Sequence, residues 1–192
     1  MRDSFLPGLF VRSVLAPVGA LAVFATGASS AAAGSFHFES DAFADGTEIP
    51  AEHTCDGADR SPALKWDGAP GKTKAFAIVM EDPDAPGGTF VHWLAYNIPD
   101  AARALGASVP AEDDLGDGTR QGTNGFEKIG YSGPCPPRGE RHTYVLRLYA
   151  LSKPLDLEPG AKRDAVVEAL EGKILAEAEW KGHYRRIAKE EE

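Results

Sequence analysis

The sequence predicts a mainly β chain with long irregular loops and one or two helices, and three observations carry that prediction. Apolar runs of nine or ten residues, rich in aromatic and β-branched side chains, are punctuated by Gly and Pro, the pattern of strands ended by turns. The segment ILAEAEW (174–180) alternates strictly between apolar and acidic residues, the period of a half-buried antiparallel strand. Strands and helices do not alternate along the chain, which argues against a doubly wound parallel sheet. With 192 residues, 43% hydrophobic and 26% charged, the chain has the composition of a globular domain able to bury a core.

Taken in order, the first 33 residues form a separate object. Arg2 and Arg12 precede an apolar run from Val14 to Phe24, and small residues follow. Ala31 and Ala33 fit an A-x-A cleavage pattern, so residues 1–33 read as a signal peptide cut after Ala33, and a periplasmic or secreted location is expected. The run is short for a membrane anchor and is broken by Pro17 and Gly19; no later segment is long and apolar enough to span a bilayer. No repeat or low-complexity linker follows, so residues 34–192 are read as one domain.

Within that domain KTKAFAIVM (72–80) is a continuous apolar run and is read as a buried strand. TFVHWLAYNI (89–98), stopped by Pro99, and HTYVLRLYAL (142–151), stopped by Pro154, are two more. In ILAEAEW, Ile174, Ala176, Ala178 and Trp180 should face inward and Glu177 and Glu179 outward. KRDAVVEALEG (162–172) is the one convincing helix, with Val166, Ala169 and Leu170 as its apolar stripe and Gly172 as its stop. Residues 100–141 are rich in Gly, Pro, Asp and Asn and are expected to form long functional loops.

The formal net charge is -9; loss of Arg2, Asp3 and Arg12 with the signal peptide, a net +1, takes it to -10. That balance argues against nucleic acid or anionic membrane as a partner. Two cysteines, Cys55 and Cys135, allow a disulfide in an exported protein or two buried free thiols.

Two histidines draw the chemistry together. His142 shares strand parity with Tyr144, Leu146 and Leu148, and follows the stiff loop GYSGPCPPRGE. His92 shares parity with Leu94, Tyr96 and Ile98, and follows the acidic turn DPDAPGG. A lone histidine of this kind is most simply a satisfied core residue, and Asp84 is most simply a turn former. Two histidines beside rigid turns, with a tyrosine hydroxyl and backbone N–H groups, instead suggest a small donor-rich pocket for an oxyanion. A carboxylate fits there if it orients a histidine and keeps it protonated.

Enzyme motifs are missing: GYSGP is not G-x-S-x-G, and H-E-x-x-H, C-x-x-C, EF-hand and P-loop patterns do not occur. Asp82, His92, His142 and a cysteine are permissible zinc ligands at a spacing that matches no familiar site, so no metal or cofactor is expected.

At these residues the sequence resembles the phosphatidylethanolamine-binding protein family, also called the Raf kinase inhibitor protein family, in its bacterial and archaeal branch. The segments that carry the resemblance are TCDGADRSPALKWDGAPGKTKAFAIVMEDPDAPGGTFVHWLAYNIP (54–99), GYSGPCPPRGERHTYVLRLYAL (130–151) and ILAEAEWKGHYRR (174–186). It implies a large central antiparallel sheet packed with a smaller sheet and peripheral helices. It also implies an anion pocket at one end of the central sheet, built from Asp82, His92, His142 and Tyr144, with Gly133 and Pro134 at the rim. A cis peptide at a proline of DPDAP would be in character. Animal members carry a further helix that helps gate the pocket; the resemblance runs only to Arg186, so such gating is not carried over, and Tyr184 is expected near the site. The resemblance leaves three functional readings. The first is a non-enzymatic binding protein for a phosphate or carboxylate group, the second an inhibitor of a kinase or protease acting through the same pocket, and the last a His/Asp-dependent hydrolase.

Overall fold

The computed structural model describes residues 35–187. The signal-peptide expectation therefore lies outside the described residues. Two sheets form the frame. The larger is built from Thr47–Glu48 (β2), Ala75–Asp82 (β4), Phe90–Pro99 (β5), Arg120–Gln121 (β7), Arg141–Leu151 (β8) and Ile174–Arg185 (β9), in the order β2-β9-β8-β4-β5-β7. Its pairs are antiparallel except the short β2, which runs parallel to β9. The smaller sheet joins His37–Ser40 (β1), Leu64–Asp67 (β3) and Ala104–Leu105 (β6). The one α-helix among the described residues, Arg163–Leu170 (α1), precedes β9, and a 3₁₀ turn spans Ala51–His53.

Each face of the large sheet has its own core. On one face Phe38, Leu64 and Trp66 of the small sheet meet Phe76, Ile78 and Met80 of β4 and Leu146 and Leu148 of β8. On the other, Ala77 and Val79 of β4 and Leu94 and Tyr96 of β5 pack on Val166 and Leu170 of α1. β4 sits between β8 and β5 and is covered on both faces, which is why its sequence is apolar from Ala75 to Met80 and every residue in it is buried. Burying one such large side chain contributes about 1.5–3 kcal/mol.

α1 keeps the predicted stripe but is shorter than 162–172. Its N-terminus has no side-chain cap, and Gly172, at φ 68°, makes the left-handed turn that ends it. A charged clamp also holds it: buried Glu81 on β4 accepts from Arg163 Nε at 2.6 Å and from Arg147 Nη1 at 3.0 Å.

β9 runs five residues past its predicted end at Trp180. Ala176, Ala178 and Trp180 face the core as alternation requires, but Ile174 is exposed. Ala150 pairs with Ala176 and Leu151 with Ile174, so one extra residue on β9 breaks the alternation there. Further along, a Cβ on Gly182 would lie 2.4 Å from Ile49 Cγ1, so only glycine lets the segment before the 3₁₀ turn close on this strand.

β5 holds two such irregularities. Met80 pairs with Trp93 and Glu81 with Val91, leaving His92 as an extra residue; Phe76 pairs with Ile98 and Ile78 with Ala95, leaving another near Asn97, whose φ is 57°. Strict parity therefore fails on this strand. Leu94 and Tyr96 lie on the helix-side core, while His92 packs on Tyr144 of the opposite one.

The stretch 100–141 is irregular apart from β6 and β7, as predicted, and two buried amides organise it. Gln121 accepts from Trp93 Nε1 at 2.8 Å and donates to the carbonyls of Pro110 and Glu112, each at 2.7 Å. Asn124 donates to the Gly130 carbonyl at 2.9 Å and accepts from the Phe126 N–H at 2.9 Å.

Candidate functional site

Asp82 ends β4, His92 is the third residue of β5, and His142 and Tyr144 lie at the start of β8. The antiparallel registers bring these four to one end of the large sheet. Asp82, His92 and His142 line a cavity of about 160 Å³, walled by Pro86, Phe90, Phe126 and the segment Cys135–Pro137. At about 30 Å³ per water, that is room for one small polar group.

The two imidazoles are held in opposite ways. His142 Nδ1 lies 2.7 Å from Asp82 Oδ2, and Nε2 lies 3.2 Å from Glu140 Oε2. Burial alone would pull its pKa down, but the hydrogen bonds to Asp82 and Glu140 outweigh it and the pKa is raised. His92 Nδ1 lies 2.7 Å from the Ser132 carbonyl, which can only accept, so Nδ1 carries the proton and Nε2 is the acceptor of the neutral ring. Burial dominates there and lowers its pKa, in spite of the Ser132 bond. The carboxylates thus favour the charged form of His142, and burial favours the neutral form of His92.

Asp82 is itself fixed, because its Oδ1 accepts from the Asp84 N–H at 2.9 Å. Asp84 does turn work and adds a tie to β8: its Oδ2 accepts from the Thr143 N–H at 2.7 Å. Tyr144 is fully buried, its ring edge-on to His92 at 5.1 Å, and its hydroxyl has no hydrogen-bond partner in the protein. That hydroxyl faces Asp82 and the Cys135 N–H without bonding geometry to either, and burial, with the Asp82 charge, keeps it firmly protonated. Tyr144 is not among the residues that line the cavity; its ring backs His92 from behind the wall.

Gly133 and Pro134 sit beside the cavity wall, and the Gly133 backbone lies close enough to His92 to favour its charged form slightly. The Gly133 N–H donates to Asp59 Oδ1 at 2.6 Å, and the Pro134 carbonyl accepts from Cys55 N–H at 3.1 Å. Neither lines the cavity with the histidines; Gly133 borders a second hollow of about 230 Å³ beyond Phe126 and Cys135. A Cβ at Gly133 would sit 2.0 Å from the His53 carbonyl, so the glycine serves loop packing. The wall falls instead to Cys135, Pro136 and Pro137.

Cys55 and Cys135 are bridged, with Cα atoms 5.4 Å apart, which decides between the two cysteine readings and takes both thiols away from any zinc set. Among the described residues no group of three or more His, Cys, Asp or Glu side chains is arranged to hold a metal. Tyr184 pairs across from His142 but turns its hydroxyl to Asp56 Oδ2 at 2.8 Å, so it braces the neighbouring loop. The peptide bonds before Pro83 and Pro86 are trans, so the expected cis proline is not present; the side-chain bonds of Asp82 and Asp84 shape the turn without it.

Sequence reasoning missed Glu140 and the aromatic wall. Glu140 shares the parity of His142 and Tyr144, which could have pointed to it. Phe126 lies far from any strand pattern and stacks edge-on to Phe90 at 4.7 Å and to His92 at 5.6 Å, a tertiary contact with no local signal.

A large antiparallel sheet, a small sheet packed on it and a buried Asp–His pocket at one sheet end define a class of small β binding proteins. The model of the family described as phosphatidylethanolamine-binding protein matches residues 39–185, and the chain belongs to that family. It is 48% identical over 150 residues to a "UPF0098 protein" of Methanothermobacter thermautotrophicus, covering 78% of this chain and 99% of the relative. A second relative of that name, from Aquifex aeolicus, is 47% identical over 149 residues, covering 77% and 86%. Among solved structures, YbcL of E. coli, described as a new member of the mammalian family, superposes with a TM-score of 0.73 at 32% identity, covering 78% of this chain and 98% of that one. A family homologue from Chlamydia trachomatis gives 0.72 at 32% identity, covering 79% and 98%.

Proposed function

We propose that this chain is a binding protein whose Asp82/His92/His142/Tyr144 pocket holds a small anionic group, a phosphate or a carboxylate such as a phospholipid headgroup carries, without chemical turnover. The observation that carries the reading is the Asp82–His142 pair in the cavity wall, an imidazole whose charged form is favoured, facing the same space as His92. Donors of this kind, set in apolar walls, suit an oxyanion better than a neutral apolar ligand. We further propose that the protein acts in the periplasm or outside the cell after cleavage following Ala33.

Titration with inorganic phosphate and with phosphoethanolamine, followed by imidazole NMR, tests the pocket. Saturable shifts of His92 and His142, lost in Tyr144→Phe, support it; unchanged shifts with both compounds sink it. A protein-borne phosphate on a kinase or protease would meet the same donors, and Phe126, 41% exposed at the cavity wall, is the feature that favours such a partner. Capture of a partner that Tyr144→Phe abolishes would move the reading that way. The Asp82–His142 pair resembles the base half of a hydrolase, but its outer nitrogen faces Glu140 and not an open substrate position. Ester turnover abolished by His142→Ala would be needed to restore that reading.

A further inference from the structure

The imidazole at the heart of the pocket already has a second carboxylate on it. Asp82 holds Nδ1 at 2.7 Å with a side chain 5% exposed, whereas Glu140 holds Nε2 at 3.2 Å with a side chain 56% exposed. Asp82 is fixed by its additional bond to the Asp84 N–H. The Glu140 carboxylate makes no other hydrogen bond among the described residues.

Its backbone, in contrast, is anchored. The Glu140 N–H donates to the Pro137 carbonyl at 3.1 Å, and its carbonyl accepts from the Arg186 N–H at 3.1 Å. The preceding Gly139 donates to the Arg186 carbonyl at 2.7 Å and accepts from Arg185 Nη1 at 2.8 Å. The side chain can therefore leave the imidazole by rotation about its own bonds, with no loop movement and no loss of packing.

We infer that Glu140 is an internal competitor for the pocket: its carboxylate accepts the His142 Nε2–H bond that an incoming anionic group needs, and it must swing out before that group can take this nitrogen. The inference rests on the anion-pocket reading above and names the residue that sets the site's affinity. A tethered carboxylate acts at high effective concentration. Ligand affinity is then divided by the fraction of molecules in which the tether is out. Once out, Glu140 still adds to the negative field of Asp82 and Asp84 that faces His142, so its charge works against an anion in both positions.

Two measurements on the full mature chain test this. The first is His142 titration by NMR without ligand: its pKa should fall in Glu140→Gln, since one of the carboxylates that raise it is neutralised. An unchanged pKa means the contact is not made in solution and overturns the inference. The second is inorganic phosphate affinity at about pH 5.5, below the ordinary imidazole pKa, where the charged ring is favoured. Glu140→Gln and Glu140→Ala should each bind about three- to tenfold tighter than wild type. Equal or weaker binding by the variants, with wild type binding, overturns the competitor and leaves the anion pocket standing. Binding by neither wild type nor variant removes the pocket reading itself, and the competitor with it.

Discussion

Asp82 and His142 form a buried pair whose chemistry was partly legible in the sequence. Strand parity put His142 and Tyr144 on one face, and the family resemblance named Asp82 as the carboxylate of the site, compatible with a histidine kept charged. The other histidine was misread: parity gave His92 the company of Leu94 and Tyr96, and an extra residue in the strand turned it to the other face. The opposite environments predict opposite titrations. His142 should titrate above about 6.5 and His92 below it, and the reverse order by NMR would refute the assignment. The stability signs follow. The raised pKa of His142 contributes stability that is full below about pH 6.5 and is lost as pH rises through its folded value. The lowered pKa of His92 contributes stability that is full above about pH 6.5 and is lost as pH falls through its folded value. Asp82→Asn removes the fixed partner of a buried cation and should cost about 3 kcal/mol in urea unfolding near pH 6, with the His142 pKa lowered. A loss below about 0.5 kcal/mol would mean that Glu140 and solvent suffice.

The elements of the large sheet were mostly predicted, because their apolar runs are long and end at proline or glycine. What escaped was every place where one strand gains a residue over its neighbour, since a bulge is a property of the pair and leaves no mark on either sequence alone. The same holds for the loop 100–141, whose order depends on buried amides such as Gln121 and Asn124 reaching carbonyls set by tertiary packing. Next to it the bridge from Cys55 to Cys135 spans a sequence separation of 80 residues and ends in the cavity wall. Closing a loop of that length restricts the unfolded chain, so reduction should lower stability by about 2–4 kcal/mol. Thermal unfolding with and without reductant measures it, and an unchanged midpoint would show that the Asp59–Gly133 and Cys55–Pro134 bonds hold the wall unaided.

For the molecule as a whole, the apolar runs and their alternation sufficed to predict a mainly β core, and the family resemblance supplied the second sheet, which no run of residues announces. β1, β3 and β6 are short, their partners lie far apart in the chain, and they pack on one face of the large sheet, so no local pattern marks them. At this scale the prediction concerns the mature chain. Protein recovered from outside the cytoplasm should begin at Gly34 by intact mass, and a mass retaining residues 1–33 would contradict the export reading. Finally, the extra residue at His92 has a bearing on how such a chain can diverge. Exchanging side chains around the cavity alters its chemistry while leaving the imidazole aimed, but deleting a single position between Val91 and Trp93 restores even pleating and aims a different side chain at Tyr144. Descendants of this sequence are therefore free to drift in composition here long before they can tolerate any change in length.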